Sequence, residues 1–364
     1  MVPTAPLDDL IPDFIRALEA HTSLKMAEGG EYRLSFAASG VRLQLDGLLS
    51  LEGNSPARLA VEVLNQAYPR DIRNALWILD EYARAHPEQQ PIWPVVLAHH
   101  LSPGARQLLR SRNVAFYDAG GTFFLRQGSI IVDIERPPAP SERARPSSLF
   151  TGAREQVVHV LLHQGDRAFT GAELAEQART STFTVSETLR ELERRDWLAI
   201  EGRGRSSSRR LSQPGTLLDA WAEAWKTRRE ERTRWYLYAS NPAQLRAALT
   251  DLPVSSEPFS WSATGAAAGN LLAPLLTNVD TLDLIVPPGQ AQRFAEAAGA
   301  KSVDKGSNLF IVERGGASEL FRAPAPDNRG MLASPFIVYL DLLKDARGRN
   351  KELAEHLRST LLKL

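Results

Sequence analysis

The side chains best suited to chemistry in this 364-residue chain lie between residues 180 and 210, in TSTFTVSETLRELERRDWLAIEGRGRSSSRR. Ser186, Thr188 and Arg190 fall off the apolar stripe of Val185, Leu189 and Leu192. On a helix they would present a hydroxyl-and-guanidinium face able to reach base edges. From Arg194 to Arg210 there are six arginines against Asp196 and Glu201, and this local excess suits a phosphate backbone. Arg194, Arg203, Arg205, Arg209 and Arg210 are therefore expected to contact DNA, together with Ser186, Thr188 and Arg190. The formal net charge of the chain is zero, so any binding of nucleic acid must be local. There is no cysteine, which removes disulfides and thiolate metal sites. No HExxH spacing occurs among the histidines, so no metal and no cofactor is expected.

The elements that must position these residues are legible around them. Residues 152–164 read as a first helix with Val157, Val158, Leu161 and Leu162 apolar. Thr170 and Glu173 form a capping box for a short second helix, and Thr184 with Glu187 fits another at the start of the third, with a slip to Thr182 open. A strand at 197–200 leads into GRGRSSSRR, a hairpin tip rich in glycine and serine. The order helix, short helix, turn, helix and basic hairpin resembles the winged helix-turn-helix of transcriptional regulators, carried by TVSETLRELERRDWL. A winged helix that binds protein is the alternative, since Glu187, Glu191 and Glu193 share the third helix.

Upstream, a helix at 8–20 precedes strands at 32–38, 41–51 and 58–64. A helix at 69–85, strands at 92–98 and 114–117 around a helix at 103–112, and a hairpin at 122–134 follow. This order, with Asp46 ending VRLQLD and Glu62 inside RLAVEVL, resembles the PD-(D/E)xK restriction-endonuclease-like fold. The resemblance implies that an acidic residue on one strand and Glu-x-Lys on the next gather a divalent metal and activate water. Here Leu64 occupies the lysine position, and leucine cannot stabilise developing negative charge. Asp46 and Glu62 are read as vestigial, with Arg58 and Arg73 open as substitutes for the lysine.

Residues 136–148, RPPAPSERARPSS, read as a linker because proline keeps them extended. After Pro214-Gly215 a long helix is expected over 216–232 with Trp221 and Trp225 along it, and its tail KTRREERTR reads as a solvated face. Small residues in ATGAAAGN allow close helix packing, and the absence of a following Lys-Ser or Lys-Thr argues against a phosphate loop. The segments TGAAAGNLLAP and VYLDLL and the last helix, with its arginines, resemble the C-terminal domain of AbiEi-type antitoxins, over residues 215–364.

The fold class expected is thus a mixed α/β and α+β multidomain chain. A degenerate nuclease-like domain spans 1–135, a linker 136–148, a winged helix-turn-helix 149–213 and an antitoxin-like α/β domain 214–364. The resemblance implies a DNA-binding transcriptional regulator that represses its own promoter, with double-stranded DNA and a nucleotidyltransferase-like toxin as partners and no reaction of its own. A metal-dependent nuclease using Asp46 and Glu62, or a protein-binding scaffold, are the other readings. No apolar run reaches membrane length and the N-terminus lacks a signal-peptide pattern, which points to the cytoplasm.

Overall fold

The computed structural model describes residues 7–38, 40–52, 57–89, 91–136, 148–201, 208–239, 242–250, 260–345 and 348–364. These divide into two compact units, Met1–Arg145 with Leu192–Asp196, and Pro146–Glu191 with Trp197–Leu364.

The first unit is a seven-stranded sheet in sequential order: β1 (Met26–Ala38), β2 (Val41–Leu51), β3 (Arg58–Ala67), β4 (Ile92–Leu101), β5 (Ala115–Asp118), β6 (Phe123–Gln127) and β7 (Ile130–Ile134). The β3–β4 and β4–β5 pairs are parallel and the others antiparallel. Helix α1 (Leu7–His21) covers one face, where Leu10, Phe14 and Leu18 meet Val61, Val63, Val95 and Leu97. Helices α2 (Pro69–Ala85) and α3 (Pro103–Ser111) cover the other, where Ile72, Leu79 and Leu109 meet Ala60, Val96 and Phe116. Strands buried on both faces explain the near-continuous apolar runs LAVEVL and VVLA. Strand β1 begins six residues earlier than its alternating pattern suggested, because Gly29 at φ +84° accommodates a register shift between Met26 and Gly30.

The second unit opens with α4 (Gly152–Gln164), α5 (Gly171–Gln177), α6 (Thr182–Arg194), the antiparallel pair β8 (Leu198–Glu201) and β9 (Ser208–Leu211), and α7 (Pro214–Lys226). A second sheet follows in the order β13-β10-β14-β12-β11-β16-β15. Its strands are β10 (Arg232–Tyr236), β11 (Ser262–Thr264), β12 (Leu282–Val286), β13 (Lys301–Ser302), β14 (Leu309–Glu313), β15 (Ala323–Pro324) and β16 (Met331–Leu332). Interspersed are α8 (Pro242–Thr250), α9 (Gly265–Leu272) and α10 (Ala291–Ala297), and α11 (Pro335–Lys344) and α12 (Asn350–Leu357) end the chain. The small residues of α9 pack as their composition suggests: a Cβ on Gly269 would stand 2.9 Å from Leu342 and 3.1 Å from Leu353.

Helix α7 stops at Lys226, six residues before the end expected from sequence. The reason is electrostatic. Arg228 pairs with buried Glu155, Glu230 accepts from Arg314 at 2.8 Å and from Lys344 at 2.7 Å, and Arg232 pairs with Asp283 and Asp345. Arg228, Glu230 and Arg232, alternate residues of KTRREERTR, therefore enter one ion-pair network, and a helix would have aimed them around a cylinder instead of into one site. Trp221 donates to Glu155 at 2.9 Å and Trp225 to Asp341 at 3.0 Å, so α7 ties α4 to α11. His159, fully buried on α4, bonds the Ala317 carbonyl through Nδ1 at 2.9 Å. The Nδ1–H tautomer this requires leaves Nε2 to accept from Ser334 at 2.6 Å.

Candidate nucleic-acid interface and a buried carboxylate pair

Helix α6 begins at Thr182 and is capped by Ser181 rather than by Thr184. The Ser181 hydroxyl accepts the Thr184 N–H at 3.1 Å, and its carbonyl accepts the first intrahelical bond from Val185. Thr170 caps α5 as its sequence indicates, accepting from the Glu173 N–H at 3.3 Å while Glu173 accepts from the Thr170 N–H at 2.9 Å. The β8–β9 hairpin is fastened to the start of α5 where the Phe169 N–H donates to the Arg209 carbonyl at 3.1 Å.

The solvent face of α6 carries Ser186 and Arg190, both exposed. Ser186 donates to the Thr182 carbonyl at 2.9 Å, which commits its proton and leaves lone pairs outward. Arg190 is ion-paired with Glu187 one turn away. Thr188 is not on this face: it is completely buried and its hydroxyl donates to the Thr184 carbonyl at 2.8 Å. Its expected role as a DNA contact is corrected for that reason. At 100° per residue, position 188 lies about 40° from Leu192 and about 60° from Val185, at the edge of the apolar stripe. Arg194 closes the last turn and belongs to the Leu192–Asp196 stretch that groups with the first unit. Arg209 is half-buried and Arg210 exposed on β9, whereas Arg203 and Arg205 lie outside the described residues.

Phe183, which the sequence reading passed over, is 73% exposed in the first turn of α6. With Ser186, Glu187 and Arg190 it completes an i, i+3, i+4, i+7 row. The signal was present in the sequence, since an apolar residue two before Val185 cannot share its side of a helix.

In the first unit, Asp46 and Glu62 do come together. The β2–β3 ladder ends at Gly47 opposite Val61, and beyond it the Asp46 carboxylate accepts the Val63 N–H at 2.9 Å. Glu62 is buried and one of its carboxyl oxygens, Oε1, has no hydrogen-bond partner. Burial, reinforced by the charge of Asp46, raises its pKa to about 9, and burial also raises that of Asp46. Leu64 packs against the α2–α3 side of the sheet. The pair is thus one backbone-bonded carboxyl, on which the charge of Arg33 acts, and one neutral acid. Among the described residues no group of three or more His, Asp or Glu gathers as a metal site.

The architecture is that of a mixed α/β protein with more than one sheet. Residues 210–363 match the family model described as transcriptional regulator, AbiEi antitoxin, type IV TA system. Over that span the chain is similar to those antitoxins, as TGAAAGNLLAP and VYLDLL suggested. No curated protein matches the sequence. One solved structure, a repair endonuclease from Pyrococcus abyssi, is similar at 16% identity with a TM-score of 0.22, covering 31% of this chain and 47% of that one. The chain thus spans less than half the length of that protein. No described helix is long and apolar enough to cross a membrane.

Proposed function

We propose that the chain is a cytoplasmic DNA-binding transcriptional regulator of the AbiEi antitoxin type, acting on its own promoter and opposing a nucleotidyltransferase-like toxin. In this reading α4, α5, α6 and the β8–β9 hairpin form a winged helix-turn-helix. Helix α6 enters the major groove and the hairpin arginines lie on phosphates. The observation that carries the reading is the outward row of Phe183, Ser186, Glu187 and Arg190 on a capped helix, followed at once by a hairpin bearing Arg209 and Arg210. The family match over residues 210–363 supports the regulatory role. The sheet that holds Asp46 and Glu62 serves as a degenerate restriction-endonuclease-like scaffold, with binding and no cleavage.

Ser186 reads as an acceptor toward bases, because its proton is held by Thr182. Cytosine N4 or adenine N6 is then its partner. The test is a titration of wild type and single alanine variants against promoter and random duplexes at several salt concentrations. Arg210→Ala should weaken binding on all sequences and lower the salt slope by about one, with Arg203→Ala, Arg205→Ala and Arg209→Ala alike. Ser186→Ala and Arg190→Ala should cost about 1–3 kcal/mol on the preferred site only. Unchanged affinity and slope across all of these would remove the phosphate clamp and leave a protein-binding scaffold. Magnesium-dependent cleavage abolished by Glu62→Ala would make the first unit a nuclease.

A further inference from the structure

At one edge of the second sheet the outward side chains of β10 and its extension are Arg234, Tyr236 and Tyr238. Alternation puts all three on one face while Trp235 turns into the core. Tyr236 is 40% exposed and Tyr238 86% exposed, and the backbone between them is fixed. The Asn308 side chain accepts the Leu237 N–H at 3.0 Å and donates to the Leu237 carbonyl at 2.8 Å, doing for the backbone what a neighbouring strand would. Two exposed tyrosines on a fixed backbone are thus presented rather than left over.

Cations surround them. Lys301 stands directly across from Tyr236 on β13 and is exposed. Beside them opens a cavity of about 370 Å³ lined by Arg232, Arg234, Lys305, Ser307, Phe310 and the single carboxylate Asp304. Arg232 already serves Asp283 and Asp345, whereas Arg234, Lys301 and Lys305 form no ion pair among the described residues. The edge therefore offers cations and open aromatic faces, with no exposed aliphatic side chain between them.

We propose that this edge is a binding site for single-stranded nucleic acid, with unpaired bases stacked on Tyr236 and Tyr238 and phosphates held by Arg234, Lys301 and Lys305. The rings recur about 6.6 Å apart along the strand, room for one base on each. Stacking needs a free base face, which a duplex hides between its pairs, so the site selects unpaired strands. It is separate from the α6 surface and does not depend on that reading.

The test is fluorescence anisotropy of the full chain with a labelled oligothymidylate of about ten nucleotides and an abasic strand of equal length. The variants are Tyr238→Ala, the double Tyr236→Ala/Tyr238→Ala, the double Tyr→Phe and Arg234→Ala. Each tyrosine removed should weaken oligothymidylate binding by about tenfold or more, and the phenylalanine double should retain it. The abasic strand should bind weakly and ignore the tyrosine changes, Arg234→Ala should lower the salt slope, and duplex affinity should stay as in wild type. Since Tyr238 is 86% exposed, its alanine variant keeps the fold, which a thermal melt checks. Absence of oligonucleotide binding, or equal binding by the alanine double, would overturn the proposal. So would displacement of the oligonucleotide by polyglutamate that itself needs the tyrosines, because an acidic protein would then be the ligand.

Discussion

Glu62 sits between Val61 and Val63 on a strand buried on both faces, and its carboxyl therefore keeps its proton at neutral pH. In the unfolded chain the same group ionises near 4.5, against about 9 when folded. Between those values the folded state holds a proton that the unfolded state lacks, so stability falls as pH rises, by at most about 1.4 kcal/mol per pH unit. Glu62→Gln, neutral at every pH, should remove that slope. Its melting temperature should exceed wild type by a margin that grows from about pH 5 to about pH 8, and a constant margin would mean Glu62 is already ionised. Phe183 makes the other prediction at this scale. If it rests on a thymine methyl group, deoxyuridine at one operator position should weaken wild type and leave Phe183→Ala unaffected. Equal sensitivity of the two proteins would show that the ring touches no base.

Helix α6 owes its start to Ser181 and its seating to Val185, Thr188, Leu189 and Leu192. Ser181→Ala should cost about 1 kcal/mol of stability by freeing the Thr184 N–H. Thr188→Val keeps the shape of a buried side chain whose hydroxyl only doubles an existing helix carbonyl, so DNA affinity should not change. Loss of affinity in Thr188→Val at an unchanged melting temperature would return that residue to the reading face. Buried His159 on α4 shows how the second unit is joined: burial lowers its pKa to about 3, so it remains neutral between the Ala317 carbonyl and Ser334. Its ordinary value is 6.5, and the unfolded chain takes up a proton there that the folded chain refuses. Stability from this group is full above 6.5 and is lost progressively toward 3.

For the whole molecule, the division into two units places α4 to α6 up to Glu191 with the C-terminal sheet. Residues 151–364 alone should accordingly bind duplex DNA with the salt slope of the full chain, read by the same titration. A folded fragment that no longer binds would assign part of the interface to the first unit. The segment 136–148 lies almost wholly outside the described residues, and its proline-rich composition sets the companion expectation, that limited proteolysis begins near Arg143 or Arg145.

Periodicity alone determined most of the elements: the sequential strands around α2 and α3, the three helices before the hairpin, and the close packing of α9 all follow from the spacing of apolar and small residues. The meeting of Asp46 and Glu62 was also legible, because strands that follow one another in sequence commonly pair. What the chain could not declare locally was where charge goes. KTRREERTR has the composition of a solvated helix face, and only the arrival of Glu155, Asp283, Arg314 and Lys344 from distant elements draws its alternate residues Arg228, Glu230 and Arg232 into an ion-pair network, while Arg229, Glu231 and Arg234 stay exposed. Thr188 has a polar side chain, yet the fold buries it completely. Tyr236 and Tyr238 have the alternation of any half-buried strand, and only the fold brings Asn308, about seventy residues on, to bond the Leu237 backbone between them. Local spacing fixes which side of an element a residue occupies, but which sides are covered is set by contacts between residues far apart in the chain.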